Sequence, residues 1–482
     1  VQISAKCVFF TEQYCSEYKV CIMEKHIYEL QELYVLKDRS VQRFPRTFLW
    51  TGIRRGLLKL TLLVLFVGIH YGWALTPPVG SGTSADPYQI SSLENLQWMI
   101  QNSGEWGAYY EQTADIDASA TQYWDDSDDN GDGNWYNDAA DANTEGNNEG
   151  FLPIGNDPRE ESSETPFSGS YDGKGYTITG LHINRSGNFT GFFGGTSEAV
   201  VKNLRLESVT VTGKDYTGGL VGMNYSSSTF TNCYVTGSIS GQERVGGLIG
   251  DNTADGTVSQ CYTSCTVQGT NRVGGLIGYN ASAEVQECYT NGTVTAENKA
   301  GGLIGYAYGS GTIANNYSSG DITRQSSTQI AFGGLIGYIE QLGIEPLTIQ
   351  YNYATGHVYS SPGVDWNEGG YADKGFAGQA HGSLLSTSAN YFDSQASNQA
   401  TDGTGVAAPK NTVQMQNLCT FSEAGWDFSA TWTLSTDNGG YPALAWQGYS
   451  HNATCEVTTW NGASWDNGTP DSDDIAIFEG DY

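Results

Sequence analysis

The stretch Gly218-Gly219-Leu220-Val221-Gly222 decides the fold of this 482-residue chain, because it returns again and again downstream. Four further copies begin at residues 246, 274, 301 and 333, and shorter versions flank the series. The second glycine of each version falls at 191, 219, 247, 275, 302, 334 and 375, so the first three steps are 28 residues and the last is 41. A unit of this size cannot bury its own apolar face, so neighbouring units must stack on one another.

Each unit also contains a second phrase, which ends in tyrosine. Short β-branched and aromatic pieces between Gly, Asn, Asp and Ser indicate strands, and no 3.6-residue period indicates a helix. The copies are Asn232-Cys233-Tyr234, Gln260-Cys261-Tyr262, Glu287-Cys288-Tyr289, Asn315-Asn316-Tyr317, Tyr351-Asn352-Tyr353 and Ala389-Asn390-Tyr391. The pattern predicts an all-β chain, a right-handed parallel β-helix of about seven coils with N- and C-terminal caps. Equivalent residues then lie about 4.8 Å apart on successive rungs, and Leu220, Leu248, Leu276, Leu303 and Leu335 form one core stripe.

These phrases resemble the GLUG motif, which is named for its glycine-leucine-hydrophobic-glycine order. Residues 82–90 before the repeats and 425–444 after them are similar to the opening and closing segments of GLUG-motif proteins. The resemblance covers roughly residues 80–448. It implies a β-helix exposed outside the cell, as in bacterial surface adhesins and the non-catalytic parts of some surface peptidases.

The region before residue 75 has the order of a secretory signal. Arg54, Arg55 and Lys59 precede an uncharged apolar run at 60–69, and Gly72-Trp73-Ala74 offers small residues for cleavage after Ala74. A retained membrane anchor is the alternative. We therefore predict a leader and signal peptide at 1–74, an N-terminal cap with an acidic loop at 75–166, GLUG-repeat coils at 167–400 and a C-terminal cap at 401–450. Residues 456–482 resemble the truncated start of a further β module of Bacteroidetes surface proteins.

The charge balance is strongly acidic, with 22 basic and 53 acidic residues. Nucleic acids and anionic bilayers bind through Lys and Arg that displace counterions, so a nucleic-acid partner is excluded. We expect a secreted monomer without an integral membrane domain after signal cleavage, attached to the outer membrane of a Gram-negative cell. Its expected partner is an extracellular glycan, or a host or particle surface.

One acidic segment has the order of a calcium loop. Asp126, Asp128, Asn130, Asp132 and Asn134 alternate with other residues around Gly131. Ca²⁺ takes six to eight oxygen ligands, and a glycine permits the sharp turn that supplies them. The twelfth position is Asn137 and not the usual bidentate Glu. A solvated acidic insertion is the alternative to a calcium site.

Two further lines of side chains follow from the repeat. Cys233, Cys261 and Cys288 fall on one line, and we predict buried thiols there, because parallel Cβ vectors a rung apart are too distant for disulfides. Cys265, which replaces a glycine of the other copies, is the candidate exception.

Arg244, Arg272 and Lys299 each precede a glycine pair by two residues and should align. This basic line suits a uronate or sulfate group of a polysaccharide; the alternative is that it neutralises neighbours such as Glu243.

No catalytic motif accompanies the repeats. The histidines after residue 74 form no H-E-x-x-H zinc motif, and neither a G-x-S-x-G elbow nor a Walker loop is present. We therefore predict a non-catalytic protein that acts by adhesion. A β-helix polysaccharide lyase or glycoside hydrolase is the first alternative, since two suitably placed carboxylates suffice for glycoside chemistry. A rigid spacer within a larger surface protein is the second.

Overall fold

The computed structural model describes residues 19–20, 34–37, 40–43, 75, 77–124, 148–155, 165–253, 255–325, 331–360, 373–402, 404–449, 455, 457–460 and 475–478. The chain divides into two compact units, residues 1–74 and 75–482. In the first unit the strands Lys19–Val20, Tyr34–Lys37 and Ser40–Arg43 pair antiparallel in that order. No helix in the described ranges has the length and apolar character needed to cross a membrane.

The second unit is a parallel β-helix, which confirms the predicted fold. Each coil contributes strands to three sheets whose neighbours pair in parallel. The first sheet contains seven strands, Phe193–Ser197, Val221–Ser226, Ile249–Thr253, Ile277–Ala281, Ile304–Tyr308, Ile336–Gln341 and Ala377–Gly382. The second contains ten, Tyr88–Ile90, Tyr109–Gln112, Ser170–Asp172, Val200–Lys202, Thr229–Thr231, Thr257–Ser259, Glu284–Gln286, Gly311–Ala314, Leu347–Gln350 and Leu385–Ser388.

The third sheet forms the remaining wall and contains the longest strands. Its members are Ile116–Asp117, Thr177–Thr179, His182–Asn184, Arg205–Thr212, Thr217–Gly218, Tyr234–Ser240, Glu243–Gly246, Tyr262–Gly274, Tyr289–Thr290, Thr293–Gly301, Tyr317–Ser318, Ile322–Arg324, Phe332–Gly333, Tyr353–Ala354, Val358–Ser360, Tyr391–Asp393 and Ala408–Lys410. Inward side chains alternate with outward ones along these strands, as in a half-buried sheet.

The predicted leucine stripe is the centre of the core. All five leucines are at most 1 % exposed. The N–H of Leu220 donates to the carbonyl oxygen of Leu248, and each later leucine does the same to the next, at 2.9 Å. Each leucine therefore closes one rung onto the next through its backbone, while its side chain fills the core.

The glycine pair of each copy lies where two segments of backbone touch. A Cβ on the first glycine, as at Gly246, would lie 2.0–2.2 Å from the carbonyl oxygen three residues further on. A Cβ on the second, as at Gly247, would lie 2.0–2.6 Å from the carbonyl oxygen of the next rung's second glycine. Side chains cannot occupy these positions, so the repeat retains glycine there for close backbone approach.

Buried cysteine and asparagine side chains form a single ladder beside the tyrosines. Cys233, Cys261 and Cys288 are free, buried thiols, as predicted, and Cys265 is a buried free thiol as well. Further along the same ladder, Asn316 and Asn352 replace cysteine, and each side-chain oxygen accepts the backbone N–H one rung earlier. Asn390 continues the series. The ladder thus satisfies backbone donors at the corner of each rung.

We expect Asn352→Ala to lower the free energy of unfolding by about 3 kcal/mol, because buried donors and acceptors on both neighbouring rungs lose their partners. Asn352→Cys should lose clearly less, since a cysteine sulfur already accepts the equivalent N–H between Cys233 and Cys261, at 3.4 Å. Urea denaturation of the two variants measures the difference. Equal losses in both would contradict a hydrogen-bonding role.

Helical segments flank the coils. Helix α1, Leu93–Gln101, is capped by Ser92 and buries Leu96 and Met99 in the same core as the coils. The 3₁₀ turns Ser103–Glu105 and Ser119–Tyr123 follow it. After the last rung, helices α2 and α3 span Thr412–Met415 and Leu418–Ser422.

The segment 411–449, which we call the strap, continues from these helices along the side of the coils. Its strands Trp432–Leu434 and Pro442–Leu444 pair antiparallel, and its 3₁₀ turns are Thr436–Asn438 and Ala445–Gln447. Strands Val457–Trp460 and Ile475–Phe478 pair in parallel beyond the strap. A disulfide joins Cys419 to Cys455, 36 residues further on. The sequence pattern does not indicate this pair, because both cysteines lie after the repeats.

We expect Cys419→Ser to lower the free energy of unfolding by about 2–4 kcal/mol, because a closed loop of this length restricts the unfolded chain. Thermal unfolding with and without a reducing agent measures the effect. Reduction should bring the wild-type protein to the stability of the variant and leave the variant unchanged. Equal stability of the oxidised wild type and the variant would contradict the expectation.

Candidate functional site

The predicted basic line lies at one corner of the coils. The residues that follow Arg244, Arg272 and Lys299 pair in register on successive rungs, so the predicted alignment is confirmed. All three adopt left-handed backbone, with φ of 56°, 57° and 47°. Phe189 and Tyr216 occupy the same corner on the two preceding rungs, with φ of 62° and 58°. The chain thus turns at this corner in a conformation that few non-glycine residues adopt, and the turn projects the side chains outwards.

Tyrosines from the first sheet line the adjoining face. Tyr279, Tyr306 and Tyr338 pair in register, and their ring centroids are 5.2 and 5.0 Å apart. The Arg244 guanidinium lies 4.5 Å from the Tyr279 ring centroid, and the Lys299 ammonium 5.7 Å from that of Tyr338. These distances are within the range of cation–π attraction. We call this set, with Arg272, the basic–tyrosine wall.

Carboxylates compensate part of the wall's positive charge. Arg244 pairs with the buried carboxylate of Asp251, and Arg272 Nη1 lies 2.9 Å from Glu243 Oε2. Within the described residues Lys299 forms no salt bridge. Burial and nearby Arg272 lower the pKa of its ammonium, and the carboxylates of Glu243 and Glu340 offset only part of this effect. Burial raises the pKa of Asp251 despite Arg244. Arg272 therefore neutralises Glu243, as the alternative interpretation of the basic line predicts. Lys299 has no such partner, so its positive charge is the least compensated of the three.

A second aromatic ladder, the tyrosine stack, consists of Tyr234, Tyr262, Tyr289, Tyr317, Tyr353 and Tyr391. The first five rings are stacked with centroid distances of 4.6–5.0 Å and interplanar angles of at most 16°. A cation lies over each end, Arg205 at 5.6 Å from the Tyr234 ring and Lys410 at 4.9 Å from the Tyr391 ring. Burial raises the pKa of the Tyr353 hydroxyl, so it remains a neutral hydrogen-bond donor.

The strap covers most of the tyrosine stack with three tryptophans. Trp426 lies 6.2 Å from both Tyr353 and Tyr391, and Trp446 lies 5.8 Å from Tyr289. Trp432, 1 % exposed, lies 6.0 Å from Tyr353. The strap therefore runs back along the coils, from the last rung towards earlier ones. The repeat in the sequence indicates the tyrosines, whereas the only signal for their contact with the strap is the density of tryptophan after residue 425.

The candidate calcium ligands Asp126, Asp128, Asn130, Asp132 and Asn134 lie outside the described residues. The described ranges contain no group of three or more His, Cys, Asp or Glu side chains placed to hold a metal ion. The calcium site thus stays a prediction.

A cleft of about 550 Å³ lies between the last rung and the strap, lined by residues that include Tyr391, Lys410 and Glu423.

Comparison with known proteins supports the repeat. The model of the GLUG motif matches residues 215–240 and 269–295. Halomucin of Haloquadratum walsbyi is 36 % identical over 173 residues, which are 35 % of this chain and 2 % of Halomucin. A provisionally named Gly-rich membrane protein of Evansella cellulosilytica is 32 % identical over 151 residues, 30 % of this chain and 14 % of that protein. The chain therefore spans only a small part of these relatives.

Among solved structures, a provisionally assigned immunoglobulin A1 protease from Bacteroides ovatus aligns over 76 % of this chain and 94 % of its own, with a TM-score of 0.47 and 17 % identity. The two matched segments contain Arg272 and two of the tyrosine phrases, those that end in Tyr234 and Tyr289. The GLUG motif therefore occurs in at least two of the coils of this chain.

Proposed function

We propose that this chain is a non-catalytic extracellular surface protein that binds acidic glycans through the basic–tyrosine wall. The observation that carries the proposal is the alignment of three cations and three tyrosines on one wall of a chain whose net charge is −31. In so acidic a protein, a continuous line of positive groups is a place where an acidic ligand can bind without repulsion.

The chemistry of the wall suits uronate or sulfate groups. Arg244 and Arg272 each hold a carboxylate, yet a guanidinium has five N–H donors and can bind further oxygen atoms. Lys299 offers three donors beside Tyr306 and Tyr338. Screening limits charge attraction to about 8 Å at physiological salt. The ligand must therefore touch the wall, and binding should weaken as salt increases.

Three observations support an extracellular setting. The GLUG repeats form an elongated β-helix, the relatives include a mucin-named protein and a membrane protein, and residues 54–74 have the order of a secretory signal. The proposal includes attachment at the cell surface. It places recognition on the wall itself and assigns no reaction to it.

We expect Lys299→Ala to weaken binding of uronate-containing or sulfated polysaccharides about tenfold, because the least compensated cation of the wall is lost. A glycan array followed by titration of the best ligand at two salt concentrations measures this. The matched control is Lys202→Ala, an exposed lysine on the second sheet that pairs with Asp172. An equal loss in both variants, or no ligand on the array, would contradict the proposal. Release of reducing ends or unsaturated products would instead identify an enzyme.

A rigid spacer is the second candidate. Both arginines of the wall already have carboxylate partners, and buried asparagine ladders link successive rungs, as between Asn224, Asn252 and Asn280. A spacer needs these links and no ligand. A negative glycan array is therefore the result that favours the spacer.

A further inference from the structure

The strap leaves one end of the tyrosine stack open. Its tryptophans reach Tyr391, Tyr353, Tyr317, Tyr289 and the near edge of Tyr262, where Trp446 lies 6.3 Å away. Within the described residues no tryptophan contacts Tyr234. We propose that this open end, formed by Tyr234 and the adjoining edge of Tyr262, docks a second extended polypeptide that carries a tryptophan. The proposal is independent of glycan binding at the basic–tyrosine wall.

The covered rungs show how such a segment binds. Each indole N–H of the strap donates to a corner residue that precedes the cysteine–asparagine ladder, and these acceptors are Glu287 O, Asn315 Oδ1 and Ala389 O, at 3.0–3.1 Å. All three corners have φ between 51° and 58°. Asn232 and Gln260 form the same corner on the two open rungs, with φ of 51° and 52°. These two corners therefore have the same backbone geometry as the covered ones. No indole N–H from the described part of the strap donates to them.

The hydrogen-bond partners of the tyrosine hydroxyls also differ between the covered and the open rungs. The strap supplies acceptors to the covered tyrosines, Gln447 Oε1 to Tyr317 and Pro442 O to Tyr353. The Tyr262 hydroxyl has no hydrogen-bond partner among the described residues, and burial raises its pKa, so it remains a donor. The Tyr234 hydroxyl donates to Glu207. An incoming segment would thus provide an acceptor for Tyr262, as the strap does for its neighbours.

The disulfide holds Cys455 at the far end of the tyrosine stack from Tyr234. Cys455 is bonded to Cys419, which lies beside Tyr391 at the opposite end of the tyrosine stack. Tyr449, the last described residue of the strap, lies near Tyr262 and Tyr289. We therefore assign the cover of Tyr234 to a separate segment.

The geometry favours a polypeptide over a sugar ring. The faces of Tyr234 and Tyr262 lie against each other at 4.6 Å, and Arg205 covers the outer face of Tyr234. The stack therefore presents ring edges and hydroxyls, whereas a pyranose needs an open aromatic face. An indole packs on such edges, as Trp446 does at an angle of 35° to Tyr262.

A fluorescently labelled peptide with the strap sequence 438–449, titrated against the full chain by anisotropy, tests the proposal. We expect saturable one-to-one binding that is lost when the peptide's tryptophan is replaced by alanine. Tyr234→Ala in the protein should weaken binding at least tenfold, and Tyr262→Phe, which keeps the ring, should weaken it less. The matched control is Tyr359→Ala, which removes a 37 % exposed tyrosine that stacks on His357 at 5.0 Å, away from both proposed sites.

Three results would overturn the docking site. The first is no saturable binding. The second is binding unchanged by Tyr234→Ala, which would mean that the peptide displaces the bound strap. The third is competition by a neutral oligosaccharide such as cellohexaose, which would assign the open end to sugars. Because none of these assays contains an acidic glycan, their failure is distinguishable from failure of the proposed glycan binding.

Discussion

Replacing Gly275 with alanine should lower the free energy of unfolding by about 3 kcal/mol or more. A Cβ there would lie 2.0 Å from the carbonyl oxygen of Gly302 and 2.7 Å from Thr290 Oγ1. Backbone on both sides fixes this distance, so the rungs must move apart to accept the methyl group. Because the hydrogen bonds between the leucines span the same interval, the separation weakens the core stripe as well. Urea denaturation followed by circular dichroism measures the loss.

Gly104→Ala is the control for this prediction. A Cβ at Gly104 would meet no atom within 4 Å, and the residue lies in a 3₁₀ turn outside the coils. Its effect should stay within about 0.5 kcal/mol. If Gly275→Ala and Gly104→Ala unfold at the same urea concentration, close backbone approach is not the reason for the glycine pairs.

Trp432→Ala is expected to lower the free energy that holds the strap by about 3–5 kcal/mol. The indole is buried between Trp426 at 4.6 Å and the rings of Tyr317 and Tyr353, and its N–H donates to Asn315. Its removal leaves a large cavity in the small cluster that joins strap and coils. The strap should then open locally while the coils stay folded.

Limited proteolysis measures this opening. New cleavage should occur between residues 411 and 449 in Trp432→Ala and not in Val413→Ala, whose side chain is 74 % exposed in the same strap. Tryptophan emission should shift to longer wavelength as the indoles become hydrated. Full resistance to protease in Trp432→Ala would contradict the idea that this side chain anchors the strap.

The sequence predicted the features that depend on the repeat. The leucine stripe, the buried thiols and the alignment of the basic line all follow from one interval and its register. A ladder needs only that equivalent residues lie above one another. Periodicity in the sequence is sufficient information for that.

Features without periodicity could not be predicted in this way. Trp446 donates to a carbonyl 159 residues earlier, and the three tryptophans of the strap occur at unequal spacing. The ion pair of Arg244 with Asp251 depends on a left-handed corner that residue propensities assign to Gly or Asn. These contacts come from the path of the chain between repeats, and the repeat itself carries no information on that path.

The disulfide between Cys419 and Cys455 also determines how the chain responds to mechanical load. A pull applied beyond Cys455 passes through the two sulfur atoms directly to helix α3, so tension bypasses the 35 residues between them. The tryptophans of the strap then bear little of the force. A protein held between a cell and a moving object would keep this side of its coils covered until the force reached the last rung itself.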